Sequence, residues 1–570
     1  MGASLDDGSA VALSGARPLR PLIRVGGPRP RVEPEERLER LTASLCPECL
    51  RIIPAALVER GGKILVRKTC PDHGEFEDVY YGDSQLYRRF LRFEEEGRGT
   101  VKYVDSTAPC PFSCGLCDMH RNHTALLNIV VTNRCPLSCW YCFFYAEQAG
   151  FVYEPSIEQI RGFARSALRQ GRALAVQLTG GEPLLRDDLA EIVRALKEEG
   201  VRHVQLNIAG VSVAELYLRS PELAVEWVRE LREAGVNTVY LSFDGTTPKT
   251  NPKNHWEVPF IFETFRRAGM TSVVLVPTVI RGFNDHALGD ILKFAARNMD
   301  LVRGVNFQPI SFTGRMRRQE LEASRVTVAD VIRLVEEQTD GQIGRESWYP
   351  CPAAAKIAKF VEALTGREQF LMANHVACGA ATYVFVERSS GSVVFRPLTE
   401  YFDVDGFLAH LDEAREKLEG SGRIAKALRA LSTVASLRRF VKRDALPNGE
   451  SLTRLLIDIF TKRSYDALGR LHYSALFLGI MHFMDLYNYD VQRVMRCNIH
   501  YASPDGRIIP FCTYNVLNEI YRDSVFKEFG APMSSWRGRP HRYGVSEKYS
   551  RDLRALTSHP LYRVTYEGFI

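Results

Sequence analysis

Thirteen cysteines, most of them in tight groups, constrain this chain more than any other feature. Along the first quarter they run as Cys46, Cys49 and Cys70, then Cys110, Cys114 and Cys117, then Cys135, Cys139 and Cys142. Cys351, Cys378, Cys497 and Cys512 are scattered through the rest. An odd total, close spacing and no apolar export segment argue against a disulfide framework and for bound metal. The remaining composition is that of a globular chain: 570 residues, 45% hydrophobic and 25% charged. Disordered and collagenous classes are thereby excluded. A net charge of +6 is a mild excess that suits anionic ligands or a membrane surface, and no nucleic-acid partner is expected from it. The longest apolar run, 475–484, is too short to cross a bilayer. The expected location is cytoplasmic, with at most peripheral contact at the inner face of a membrane.

Residues 1–36 are rich in Arg, Pro and Gly and read as a disordered basic arm. Residues 37–105 read as a small β-rich module, in which 55–59 and 63–68 form a hairpin around Gly61-Gly62. From 126 the rhythm becomes strand–helix alternation, with strands expected at 126–132, 173–178, 203–208, 238–243, 272–280 and 305–310. Six such repeats predict an α/β fold, a parallel sheet curved into a partial (β/α)6 TIM-like barrel over 126–325. Residues 326–480 read as mostly helical with a β insertion, and 481–570 as a final cysteine-containing segment. The run 471–484 is apolar nearly all round a helix, as suits a buried core helix or the lining of an apolar groove.

Chemistry concentrates at the strand ends. Cys135-Pro-Leu-Ser-Cys139-Trp-Tyr-Cys142 follows the first barrel strand. Three thiolates at CxxxCxxC spacing can hold three irons of a cubane and leave the fourth for a small molecule. Thr179-Gly180-Gly181-Glu182-Pro183 follows the second strand, where paired glycines expose backbone and a carboxylate can accept from an ammonium group. Cys110, Cys114 and Cys117 in the segment 106–125 repeat the CxxxCxxC spacing without a leading strand, which suits an auxiliary cluster or a structural zinc. Cys46, Cys49, Cys70 and His73 form CxxC and CxxH pairs on either side of the hairpin, suiting zinc or a mononuclear iron. Cys351, Cys378, Cys497 and Cys512 suffice for one more site or could complete others.

On these motifs the chain resembles the radical S-adenosylmethionine (SAM) superfamily over roughly 126–315. The resemblance implies a [4Fe–4S] cluster on Cys135, Cys139 and Cys142, with SAM chelating its open iron. It places Tyr141 against adenine and Gly180, Gly181 and Glu182 at the methionine amine. Asn207, Ser242 and Asp244 fall at ribose and carboxylate contacts, and Thr278 with Gln308, Pro309 and Ile310 at later SAM-facing positions. A one-electron donor such as ferredoxin or flavodoxin is implied as a partner.

The layout as a whole, with CPEC and CPDHG in front, PCPFSCGLC before NRCPLSCWYC, and VACGAATYVFVE and RCNIHYASPDGRIIPFCTYN behind, is similar to the archaeal tetraether lipid synthase family. That resemblance implies joining of isoprenoid chain ends of diether membrane lipids by carbon–carbon bonds. It further implies one or two auxiliary [4Fe–4S] clusters, one of which stores the first carbon, and one mononuclear zinc or iron. Cys351 and Cys378 are the first choice for that store, with Cys497 and Cys512 as partners. The alternative is a radical SAM methyltransferase acting on a small heterocycle such as a methanopterin precursor. A lipid enzyme requires a long apolar tunnel, a pterin enzyme a compact polar pocket.

Overall fold

The computed structural model describes residues 23–144, 150–171, 174–314, 321–389, 392–419, 422, 432–433, 435–462, 465–536 and 540–569. The chain opens with a four-stranded antiparallel sheet in sequence order: β1 (Arg37–Leu45), β2 (Ile52–Arg60), β3 (Lys63–Cys70) and β4 (Gly74–Tyr81). Gly61 and Gly62 turn between β2 and β3 with φ of +59° and +77°, the left-handed pair that a two-residue hairpin loop requires. Alternation then gives the sheet two apolar faces. Ala55, Leu57, Ile64 and Val66 join the main core, while Ala56, Val58 and Leu65 pack under Val32.

That second face explains why 23–36 is not a free arm. The segment runs extended along the small sheet, with Gly26 donating to the Ile52 carbonyl (2.8 Å) and Ile52 to that of Arg24 (2.9 Å). It ends at the buried Glu36 carboxylate, paired with Arg67 at 2.7 Å. Residues 1–22 of the expected arm lie outside the described residues.

The main sheet carries the expected parallel strands in chain order: β5 (Leu126–Thr132), β6 (Ala175–Gly180), β7 (His203–Ile208), β8 (Thr238–Ser242), β9 (Val273–Val276) and β10 (Val302–Pro309). Helices between them bury one stripe on the sheet: Leu189–Glu198, for example, buries Leu189, Ile192, Val193 and Leu196. Further strands extend the sheet at both edges. These are β11 (Gly379–Ser389), β12 (Ser392–Pro397), β13 (Ala475–Met481), β14 (Ile499–Ala502) and β15 (Ile508–Pro510). β13 lies parallel to β10, with Gly304 opposite Phe477, and antiparallel to β11. β14 lies parallel to β5, with Ile499 opposite Leu126.

The apolar run 471–484 therefore differs from its helical reading. Tyr465–Ser474 is helix, but Ala475–Met481 is a strand buried within the sheet. An apolar run of strand length is compatible with either state, and the open edge of β10 decides between them. Among the described residues no helix is long and apolar enough to cross a membrane.

Candidate active site and metal centres

The loop after β5 and the end of β6 are built on each other. Gly181 donates to the Thr132 carbonyl (2.9 Å) and Glu182 to that of Arg134 (2.8 Å), so the chain entering Cys135 is fixed by backbone bonds. A Cβ on Gly180 or Gly181 would stand 2.1 Å from the Thr132 oxygen or 2.0 Å from that of Arg134. The two glycines thus permit the approach that places the first cysteine.

Cys135, Cys139 and Cys142 face a cavity at the C-terminal ends of the strands, with about 1010 Å³ of empty space including its mouth. Tyr141, Gly180 and Gly181 form part of the wall, as do Asn207 on β7, Ser242 on β8, and Thr278, Gln308, Pro309 and Ile310 beyond them. Two expected residues stand behind the wall. The buried Glu182 carboxylate accepts from the amides of Ala209 (2.7 Å) and Gly210 (3.4 Å), bracing the turn after β7. Burial pushes its pKa up to about 7 against those bonds. The buried Asp244 accepts from the Tyr141 hydroxyl and from the Thr278 amide (2.8 Å).

Lys253 is a charged wall residue that sequence reading missed. Its Nζ lies 3.3 Å from Asp244 and 5.0 Å above the Tyr141 ring. Asn254 sets its place, donating to the carbonyls of Ala209 and Ser242, each at 2.8 Å. No periodicity or motif marks this loop; only the polar cluster NPKNHW after LSFDG hints at it. Phe483, just past β13 in the apolar run for which a groove lining was one expectation, also lies on this wall.

The other cysteines sort into three groups. In the small sheet, Cys46 Sγ lies 3.7 Å and Cys70 Sγ 3.5 Å from His73 Nδ1, and Cys49 and Cys70 are 3.8 Å apart. A tetrahedron with ~2.3 Å metal–sulfur bonds has edges of about 3.8 Å, so these four side chains are spaced for one ion. Cys110, Cys114 and Cys117 line a separate cavity of about 230 Å³ together with His120 and Met495.

Cys351, Cys378, Cys497 and Cys512 gather where β11 begins and β13 ends. His482 donates to the Cys378 carbonyl (2.9 Å), Met484 to Cys512 Sγ (3.4 Å), and Cys351 Sγ lies 3.6 Å from where a Cβ on Gly379 would stand. All four are half-buried, and burial pushes the thiols of Cys351 and Cys512 up to about 11. Phe483 of the main cavity stacks on Phe511, next to Cys512, with ring centroids 4.1 Å apart.

A partial barrel whose first strand opens into three cysteines around such a cavity defines the radical SAM class of enzyme, and residues 129–295 match the radical SAM superfamily. Residues 38–82 match a domain described as the HMPTM N-terminal zinc ribbon. The chain belongs to the family of the Methanocaldococcus jannaschii 7,8-dihydro-6-hydroxymethylpterin dimethyltransferase, with 42% identity over 89% of this chain and 98% of the relative. A probable GTP 3′,8-cyclase of Methanothermobacter marburgensis is 32% identical over 31% of this chain and 55% of its own length. Among solved structures, methylornithine synthase aligns with 38% of this chain and 64% of its own at 19% identity, with a TM-score of 0.27. A likeness that weak carries no argument.

This membership corrects the expected family and function. The layout was similar to tetraether lipid synthases, but identity across nearly the whole of a pterin dimethyltransferase overturns the coupling of diether lipids. Both readings share the cysteine framework, which reports cofactor chemistry and not substrate.

Proposed function

We propose that this chain is a radical SAM methyltransferase acting on a reduced pterin of the 7,8-dihydro-6-hydroxymethylpterin type. The observation that carries the reading is the 42% identity over 98% of the relative of that name. The main cavity supports it: Asn207, Ser242, Lys253, Thr278 and Gln308 give it a polar wall that SAM and the edge of a heterocycle would share.

In this reading Cys135, Cys139 and Cys142 hold the [4Fe–4S] cluster, and the three-thiolate set leaves one iron for SAM. When bound, cluster and SAM supply a 5′-deoxyadenosyl radical able to take hydrogen from an unreactive C–H bond. The protein's task is position and exclusion of water. Asp244 fixes the Tyr141 ring edge through its hydroxyl and holds Lys253 beside it, so that the ammonium is offered to a carboxylate or carbonyl oxygen in the cavity. Asn207 donates to Thr179 Oγ1 (3.3 Å), which orients its amide on the wall. Val276, Pro309, Ile310 and Phe483 close the apolar side. Cys110, Cys114 and Cys117 hold an auxiliary cluster, as do Cys351, Cys378, Cys497 and Cys512 together. Cys46, Cys49, Cys70 and His73 hold one structural ion. A ferredoxin or flavodoxin supplies the electron.

The test is anaerobic incubation of the reconstituted full chain with SAM, a low-potential reductant and 6-hydroxymethyl-7,8-dihydropterin, followed by mass spectrometry. Expected are pterin products heavier by one or two CH2 groups and 5′-deoxyadenosine formation that depends on the pterin. If the pterin is returned unchanged and deoxyadenosine does not respond to it, the substrate assignment is wrong.

A further inference from the structure

We propose that Arg493 is the built-in counter-charge of the four-cysteine site: a guanidinium that the fold tolerates only when an anionic iron–sulfur cluster sits on Cys351, Cys378, Cys497 and Cys512, and whose charge raises that cluster's reduction potential. The inference rests on the assignment of a cluster to those cysteines made above.

Arg493 is 1% exposed, among the largest fully buried side chains of the molecule. It sits on the short helix Val491–Met495, and its Nη2 donates to the His482 carbonyl at 2.8 Å. Nε and Nη1 are buried and have no hydrogen-bond acceptor among nitrogen and oxygen atoms of the described residues. The backbone that Arg493 grips leads to the cysteines: the His482 amide donates to the Cys378 carbonyl (2.9 Å) and, two residues on, the Met484 amide to Cys512 Sγ (3.4 Å), so the guanidinium and these two thiols interact. The neighbouring Asp490 is already engaged by Thr42 (2.6 Å), Tyr80 (2.7 Å) and the Gln492 amide (2.9 Å). Tyr80 lies 5.6 Å below the guanidinium, a cation–π contact that lends polarisation and no charge.

A buried cation without an anion is among the costliest arrangements a fold can contain. Other buried cations are better met: Arg325 by Asp485 at 2.6 Å and by Asp78, Arg303 by the carbonyls of Thr271, Tyr473 and Met299, and Lys68 by Ser44 and the Leu486 carbonyl. On Arg493 the Nε–H and both Nη1–H bonds lack a nitrogen or oxygen acceptor among the described residues, and the thiols of Cys378 and Cys512 are its sulfur neighbours. A cubane on four thiolates is net negative in both of its redox states, so it supplies the missing charge, and its sulfides accept N–H bonds. A positive group beside the cluster favours the more negative, reduced form and so raises the potential.

The experiment compares the full-length protein with its Arg493→Met and Arg493→Lys variants, metal-free and anaerobically reconstituted. Iron and sulfide are counted and an EPR-monitored redox titration is run. In Arg493→Met, one cluster signal should show a reduced-to-oxidised ratio at least tenfold lower at a given potential, about 59 mV for one electron. Arg493→Lys should stay within about threefold, because it keeps the charge. Melting should move in opposite directions: the metal-free Met variant above the metal-free parent, the loaded variant below the loaded parent. Loss of iron from the Met variant alone also supports the proposal, since the charge is then needed to hold the guest. Unchanged titration at full iron content overturns it. So does equal iron loss in both variants, which would mark a packing role, or melting shifts of one sign. A Cys378→Ala, Cys512→Ala double variant separates the underlying assignment: undiminished iron and sulfide there removes the cluster itself, whatever the Arg493 variants do.

Discussion

At the scale of single residues, the three cavity-facing cysteines are the sharpest commitment. Changing Cys135, Cys139 and Cys142 together to Ala should abolish 5′-deoxyadenosine formation and remove about one cluster's worth of iron, leaving any metal bound through the other ten cysteines in place; iron analysis and chromatography of the nucleoside read both. Glu182 carries a prediction of a different kind. Burial lifts its pKa from the ordinary 4.5 to about 7, against amide bonds from Ala209, Leu184 and Gly210. The folded chain thus keeps a proton that the unfolded chain has released. The resulting stabilisation is complete below pH 4.5 and is lost as pH rises through about 7. In metal-free protein, Glu182→Gln should flatten that slope, by on the order of 3 kcal/mol across the window, in urea unfolding at stepped pH. Gly180 and Gly181 were legible as a motif, yet their steric task, room for the carbonyls of Thr132 and Arg134, appears only in three dimensions. Lys253 had only the polar cluster around it as a hint, because a loop lysine acquires meaning only from what faces it.

Elements show where local pattern suffices and where it fails. The hairpin around Gly61-Gly62 follows from turn chemistry, and β5 to β10 from apolar runs between amphipathic helices. The run 475–481 had no such local answer; pairing with β10 and β11 made it a strand. A polar ladder inside the barrel was equally hidden. Gln205 donates to Gln177 and Gln177 to Asn128, both at 2.7 Å, and Asn128 donates on to the His500 carbonyl at 3.2 Å. Register alone aligns these side chains across four strands, so each buried amide finds a partner. The small front sheet has modest apolar faces and four spaced ligands, and its folding should lean on the ion. Cys49→Ser should lower metal content by about one ion per chain and raise limited proteolysis within 38–82 by about tenfold or more, with little change in overall helix signal.

At the scale of the whole molecule, the front sheet and the segment after β13 are locked together. Tyr80 and Thr42 bond Asp490, Ser44 bonds the Tyr489 carbonyl (2.6 Å), Lys68 bonds that of Leu486 (2.6 Å), and Arg325 bridges Asp78 to the fully buried Asp485. Asp485→Ala leaves Arg325 with a single carboxylate and should cost about 3–5 kcal/mol in denaturant unfolding, whereas an exposed pair such as Arg333–Glu337 should give less than about 1 kcal/mol. Sequence alone determined the superfamily, the partial barrel and the metal-binding residue types, because spacing of cysteines and periodicity of apolar residues are local properties, written within a few turns or strands. Only the tertiary structure decided which distant cysteines come near one another, that 23–36 is docked, that β13 and β14 extend the barrel, and that Arg493 lies buried near thiols with no carboxylate ion pair among the described residues. Those are contacts between residues tens to hundreds of positions apart, set by burial and pairing of whole elements. Substrate class was legible in neither motif nor spacing, since cysteine spacing speaks to cofactor chemistry, and the cavity wall is assembled from six strand ends and their loops.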